Sequence, residues 1–275
     1  MRWCAAFPSA TKEGKWHMLV FETIAVAFAM FSAIPVPQPV WNDRNMRYAL
    51  CAFPLVGVVL GLLWWCWGAL CGVLDLPELL QAAGFCLLPP IVTGGIHLDG
   101  YADTSDALAS HADPVRKQEI LKDSHCGAFA IIRLCAYFAG YFALCGALEE
   151  DGRALVCCAL GFVLSRTLSG FAVAAFPLAR NTGLAHTFAT AAVKSRVRLA
   201  LALWAAAMAG AMYLIGGLSG GAMVLAALMT FGWYHRVAVR QFGGLSGDLA
   251  GWFLQKAEFG MLAALVLCQQ LEACV

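Results

Sequence analysis

The chain has 275 residues, of which 61% are hydrophobic and 13% charged, and its formal net charge is +1. A soluble domain is about half apolar and about a quarter charged, so this composition excludes a water-soluble globule and points to a polytopic membrane protein. The near-zero net charge provides no field to gather nucleic acid, and the apolar runs are continuous rather than alternating, which argues against a closed β-barrel.

In chain order, residues 1–17 carry Arg2, Lys12 and Lys15 without the apolar core of a signal peptide. They read as a polar N-terminal extension, with Met18 as a second candidate initiator and residues 18–275 as a single transmembrane catalytic domain. The stretch Val20–Ile34 is apolar apart from Glu22 and ends at "IPVPQP", where proline stops any helix; it either spans or lies in the interface. Apolar runs follow at Leu50–Gly72, Ala128–Leu148, Ala154–Phe176, Leu199–Ile215, Ala222–Tyr234 and Phe259–Cys268. A bilayer crossing takes roughly 20 helical residues. The expectation is therefore an all-α integral membrane bundle with about six to eight transmembrane helices. The twelve cysteines show neither a CxxC pair nor a Cys/His zinc spacing, and read as small buried hydrophobes.

Charge sets the orientation. Arg44 and Arg47, then Arg116, Lys117 and Lys122, then Arg180, Lys194, Arg196 and Arg198 mark three basic loops, whereas Asp75–Glu78 and Glu149–Gly152 are acidic and Gly216–Gly221 is uncharged. Positive residues stay in the cytoplasm, which puts the basic loops on that side and the acidic turns outside.

Against this apolar background, "GGIHLDGYADTSDAL" (Gly94–Leu108) stands out. Asp99, Asp103 and Asp106 are spaced by four and then three residues, which places them on one face of a helix. Three stacked like charges need a compensating partner. A hard divalent cation suits them, and Mg²⁺ characteristically completes its shell with waters and substrate phosphates. The same residues would also suit a solvated acidic first turn. His97 lies two residues before Asp99, as either a phosphate-contacting group or a polar boundary residue.

Three further clusters share the predicted cytoplasmic side. In "EILKDSHCGAF", Lys122 is either a phosphate contact or an ordinary basic loop residue, and Asp123 either supports the metal or caps the next helix. In "FPLARNTGLAHTF", Arg180 is a candidate phosphate clamp through its bidentate fork; Arg166, deep in the preceding run, needs a partner or an inner cavity. In "FGGLSGDLAG", Asp248 is a further metal ligand, a contact to a substrate hydroxyl, or a helix cap, while Glu258 reads as a structural polar residue.

Together these stretches resemble the adenosylcobinamide-GDP ribazoletransferase (cobalamin synthase) family. Its central pattern, approximately G-G-x-H-x-D-G-x-A-D-x-x-D, is met by Gly94, Gly95, His97, Asp99, Gly100, Ala102, Asp103 and Asp106. K-D-S-x-x-G is met by Lys122, Asp123, Ser124 and Gly127. The early F-x-x-I-P-V-P is met from Phe31 to Pro37, "FPLVGxxxG" from Phe53 to Gly61, and the late G-G-x-S-G-D from Gly243 to Asp248. The matches run in order from about Met18 onward. Departures are Ala107 where glycine is usual, Tyr101 where leucine is common, and His125 in place of a frequent arginine.

The resemblance implies transfer of the cobinamide-phosphate moiety of adenosylcobinamide-GDP to a ribose hydroxyl of α-ribazole or its 5′-phosphate, with GMP leaving, late in cobalamin biosynthesis. It implies Mg²⁺ as cofactor, with Asp99, Asp103 and Asp106 as metal ligands and one of them or His97 as general base. Lys122, Asp123, Arg180 and Asp248 would bind substrate or phosphate. It also implies a multi-pass protein of the bacterial cytoplasmic (inner) membrane with its site towards the cytoplasm. The implied partners are the two substrates and the lipid bilayer, with other cobalamin-pathway enzymes and further copies of the chain as candidates. A CDP-alcohol phosphotransferase is the near alternative, but Asp99–Gly100 lacks the arginine of its D-G-x-x-A-R pattern. A cation-coupled transporter is the alternative from another class, but no repeated halves are visible.

Overall fold

A computed structural model of the chain describes residues 12–39, 41–123, 125–149, 151–179 and 182–274. Every regular element among them is an α-helix. The order is α1 (Lys12–Phe31), α2 (Asp43–Met46), α3 (Ala49–Leu74), α4 (Glu78–Thr93), α5 (Ile96–Ala109), α6 (Pro114–Ile120), α7 (Ala128–Gly146), α8 (Gly152–Ala175), α9 (Leu184–Ala191), α10 (Lys194–Phe242) and α11 (Gly247–Ala273).

Helix α8 is the axis of the bundle and packs against α3, α10 and α11. It is buried almost all round, including Ser165, Arg166, Thr167 and Ser169. Close approach to α3 explains the "FPLVGxxxG" stretch. A Cβ on Gly57 would stand 2.5 Å from the Phe162 carbonyl oxygen, and one on Gly61 2.6 Å from that of Ala159. Small residues four apart let two membrane helices touch along their backbones. The outer faces carry Leu62, Leu63, Trp65, Leu70, Ile131, Ile132, Leu203 and Leu214, all exposed, as expected of helices that face lipid acyl chains.

Among the described residues, five helices are long and apolar enough to cross a bilayer, and six if the bent pair α4/α5 counts as one span. This sits at the lower edge of the sequence expectation for two reasons. The apolar part of α1, Leu19–Phe31, is about 20 Å long at 1.5 Å per residue, short of the ~30 Å hydrocarbon core. The chain then leaves helix ahead of Pro35. The runs 199–215 and 222–234, in turn, both fall within α10. That helix nevertheless reverses at Gly217, whose φ of 56° and ψ of −128° are non-helical. In its first leg Leu201 lies against Gly170 and Gly216 against Cys157. In its second leg Met223 lies near Gly161 and Tyr234 against Phe176. The two legs therefore run in opposite directions along α8, with the uncharged turn between them.

One charged pair is sealed inside. Arg166 Nη1 of α8 donates to Glu258 Oε1 of α11 at 2.6 Å, and both side chains are buried. Ser165 Oγ also donates to that carboxylate, at 3.0 Å. Arg166 thus finds a partner rather than facing a cavity, and Glu258 is structural as its sequence context suggests. The described cysteines are all free.

Candidate active site

The carboxylates are gathered by a break between α4 and α5. Gly94 and Gly95 adopt φ of 65° and 77°, a conformation cheap only for glycine. The axes of α4 and α5 then differ by 94°. Helix α5 is turned across the end of the bundle, where it packs on the start of α11. The crossing is close: a Cβ on Gly100 would stand 2.7 Å from the Asp248 carbonyl oxygen, and one on Gly251 2.9 Å from that of His97. The two motif glycines are thus contact points between two motif helices.

On α5, His97, Gly100, Tyr101, Thr104, Ser105 and Ala107 are buried. Asp99 is exposed and Asp103 and Asp106 are half-buried. The three aspartates form one accessible stripe, as their spacing predicts. Asp103 lies within electrostatic reach of Asp99, Asp106 and Asp248. Asp248 stands in the first turn of α11, capped by Ser246, whose Oγ accepts from Leu249 N. The cap, one of the three roles open to Asp248, is therefore supplied by its neighbour, whose Oγ also donates to Asp248 Oδ2 at 3.4 Å. Among the described residues, no group of three or more His, Cys, Asp or Glu side chains is drawn together closely enough to hold a metal ion unaided.

His97 occupies the other side of α5. It is buried, and its Nε2 has no hydrogen-bond partner among the described residues. Its ring lies 6.0 Å from that of Phe53, centroid to centroid. His97, Asp99 and Asp248 all line a cavity of about 260 Å³ that also contacts Phe31, Phe53 and Phe188. A second, more polar hollow of about 150 Å³ adjoins it through Gly247, Asp248, Leu184 and Ala185, and is bounded by Thr182, Gly183 and His186. Helix α9 closes over both, with Phe188 buried as its anchor.

The loops around the site are tied together. Leu245 N donates to Pro177 O at 2.8 Å and Ala179 N to Leu245 O at 2.9 Å. This joins the stretch before Arg180 to the stretch before Asp248. Arg180 itself lies outside the described residues. Lys122 and Asp123 are exposed on the α6–α7 loop. That loop meets the cluster at Gly127, where a Cβ would stand 2.2 Å from the Asp106 carboxylate. Asp123 is not turned to the cluster: its Oδ1 accepts from His125 Nδ1 at 2.6 Å and from His125 N at 3.0 Å. That pairing holds the Asp123 carboxyl below the usual range. Two cations escaped notice in the sequence. Lys256 lies over the Tyr101 ring at 5.4 Å, and Arg133 of α7 is within electrostatic range of both. Nothing local marks either residue; only the packing of α5 between α7 and α11 brings them together.

The family model described as cobalamin-5-phosphate synthase matches residues 23–266. The chain belongs to this family. Similar curated proteins carry the name adenosylcobinamide-GDP ribazoletransferase. One from Lachnoclostridium phytofermentans is 39% identical over 255 residues, covering 93% of this chain and 95% of that protein. One from Clostridium perfringens is 32% identical over 251 residues, covering 88% and 96%. One from Geobacillus thermodenitrificans is 32% identical over 250 residues, covering 85% and 90%. No solved structure matches the chain. Family membership and the helical membrane fold agree with the resemblance read from the sequence. They also weigh against the CDP-alcohol and transporter alternatives.

Proposed function

We propose that the chain joins adenosylcobinamide-GDP to a ribose hydroxyl of α-ribazole or its 5′-phosphate. The hydroxyl oxygen attacks the phosphorus next to the cobinamide arm. The bond from that phosphorus to the oxygen bridging it to GMP breaks, GMP leaves, and adenosylcobalamin or its 5′-phosphate forms. The observation that carries this reading is the placing of Asp99, Asp103, Asp106 and Asp248 together at one end of the bundle, beside two adjoining hollows.

The donor type suits Mg²⁺. The ion prefers carboxylate oxygens and is usually held by one or two of them, with substrate phosphates and water completing the shell. A cluster that does not close into a cage by itself fits that mode. When bound, the ion would neutralise the diphosphate and the departing GMP. Asp99, Asp103 and Asp106 are the proposed ligands, with Asp248 completing the set or orienting the ribose. An aspartate of the stripe is proposed to accept the hydroxyl proton. His97 is buried away from the stripe, and its geometry favours a positioning role over that of general base. Lys122 and Arg180 are proposed to hold phosphate oxygens, and Asp123 to shape the Lys122 loop through its bonds to His125.

The proposed location is the bacterial cytoplasmic membrane, with the site facing the cytoplasm. Arg44, Arg47, Arg116, Lys117, Lys122, Lys194, Arg196 and Arg198 fall in α2, α6 and the start of α10 or in the loops that adjoin them, and positive loops remain cytoplasmic. The test is incubation of the purified protein in lipid nanodiscs with adenosylcobinamide-GDP, α-ribazole 5′-phosphate and Mg²⁺. GMP and a cobalamin product in equal amounts are expected. Folded protein that yields neither would refute the reading.

A further inference from the structure

Two cations lie together where α5, α7 and α11 meet. Lys256 of α11 stands over the Tyr101 ring, with Nζ 5.4 Å from its centroid. Arg133 of α7 is within electrostatic range of Lys256. Arg133 is exposed and Lys256 half-buried. Neither takes part in any of the ion pairs among the described residues. Two like charges held close repel each other, and an anion shared between them removes that cost. Arginine offers a phosphate its bidentate fork, and lysine a point charge.

The surroundings narrow the kind of anion. Both helices start at α5: a Cβ on Gly127, just ahead of α7, would meet the Asp106 carboxylate, and one on Gly251 of α11 the His97 backbone. At 1.5 Å per residue, Arg133 and Lys256 lie about 8 and 14 Å beyond the first residues of α7 and α11. Phe129, Ile131 and Ile132, on the turns around Arg133, are all exposed. A contiguous group of large apolar side chains marks a surface for lipid rather than for water. Further along the two helices the seam is closed, with the Tyr137 and Phe259 rings 5.8 Å apart. The carboxylate stripe lies on the other side of α5. Tyr101 is two residues from both Asp99 and Asp103, so it points away from them, and it is buried. A substrate phosphate held at the stripe is therefore separated from the two cations by α5 itself.

We propose that Arg133 and Lys256 hold the headgroup phosphate of an anionic phospholipid, whose acyl chains lie along α7 beside Ile131 and Ile132. Basic pockets between membrane helices take anionic headgroups in this way. A cation at membrane depth has to find a counter-charge, and no carboxylate among the described residues is paired with either one. A zwitterionic lipid brings its own cation, which the pair repels, so the site selects phosphatidylglycerol over phosphatidylcholine. The inference stands apart from the transferase reading.

The test uses the full chain in nanodiscs of phosphatidylcholine and phosphatidylglycerol in equal parts. Native mass spectrometry after release from the disc reads which lipids stay bound. Wild type is expected to retain phosphatidylglycerol in preference to phosphatidylcholine. In Arg133→Gln/Lys256→Gln that preference should fall by about tenfold, whereas Arg133→Lys, which keeps the charge, should hold most of it. Arg153→Gln is the control. It removes an exposed arginine at the start of α8, whose other end is the one joined to the site by the Pro177–Leu245 contact, and it should match wild type. Inorganic phosphate or GMP in excess should not displace the retained lipid. Wild type without a preference for phosphatidylglycerol would overturn the proposal whatever the variants do. So would an equal loss in Arg153→Gln, an undiminished preference in the double variant, or displacement of the lipid by inorganic phosphate, which would assign the pair to a free anion.

Discussion

Replacing Glu258 with leucine tests how the bundle is held at its centre. The Arg166–Glu258 pair is 1% and 3% exposed, with 2.6 Å between Nη1 and Oε1, so water does not screen it. Removing one partner of such a pair leaves a buried uncompensated charge and costs about 3–5 kcal/mol. The Ser165 hydroxyl, which donates to the same carboxylate, loses its acceptor as well. The unfolding equilibrium should shift by roughly 100- to 4,000-fold, at 1.4 kcal/mol per factor of ten. The assay is reversible unfolding in mixed micelles with increasing denaturing detergent. The double variant Arg166→Met/Glu258→Leu should recover most of the loss, since a well-packed apolar replacement of a buried pair is often neutral. The reasoning is refuted if Glu258→Leu costs less than about 1 kcal/mol, or if the double variant is no more stable than the single one.

Other expected outcomes follow from the site and the packing. Gly61→Leu would drive a side chain into the α8 backbone at the Ala159 carbonyl, 2.6 Å away at Cβ alone, and should abolish monodisperse protein in size-exclusion chromatography. Gly72→Leu, on the same helix with open space around it, should behave as wild type. Lys122→Ala should raise the KM for adenosylcobinamide-GDP by about tenfold with little change in kcat, as expected for loss of a phosphate contact made equally in ground and transition states. His125→Ala should let the Asp123 pKa rise towards the ordinary carboxylate value, measurable by carboxyl NMR titration. The His125 ring makes the contact that lowers it most, while the backbone N–H of residue 125 still donates in the variant; an unchanged titration would show that the ring contact does not lower it. Because the folded-state pKa is depressed, any stability this contact adds is present above the ordinary carboxylate pKa and is lost as pH falls through the depressed value.

What could be read without coordinates was periodic or compositional. The four-and-three spacing of Asp99, Asp103 and Asp106 is a local helical property, and the accessible stripe on α5 follows from it. The uncharged Gly216–Gly221 segment between two apolar runs marks the reversal that the fold places at Gly217. What could not be read depends on residues distant in sequence. His97 is buried because Gly251 of α11 admits the α5 backbone, which no pattern around His97 reveals. Arg166 lies 92 positions from its partner. The 94° turn between α4 and α5 is likewise fixed by the packing of α5 on α11, which no pattern around Gly94 and Gly95 reveals. The Val20–Ile34 run was ambiguous for a physical reason: its composition suits a span, while its length before the prolines does not.

The most direct test of the central claim is single-turnover GMP release by wild type and Asp103→Asn in nanodiscs, each with Mg²⁺ and with EDTA. If the carboxylate face carries the transfer, wild type is active only with Mg²⁺. The variant then loses at least about 100-fold in rate while binding α-ribazole normally. Turnover by Asp103→Asn within about twofold of wild type, or full wild-type activity in EDTA, would contradict the account.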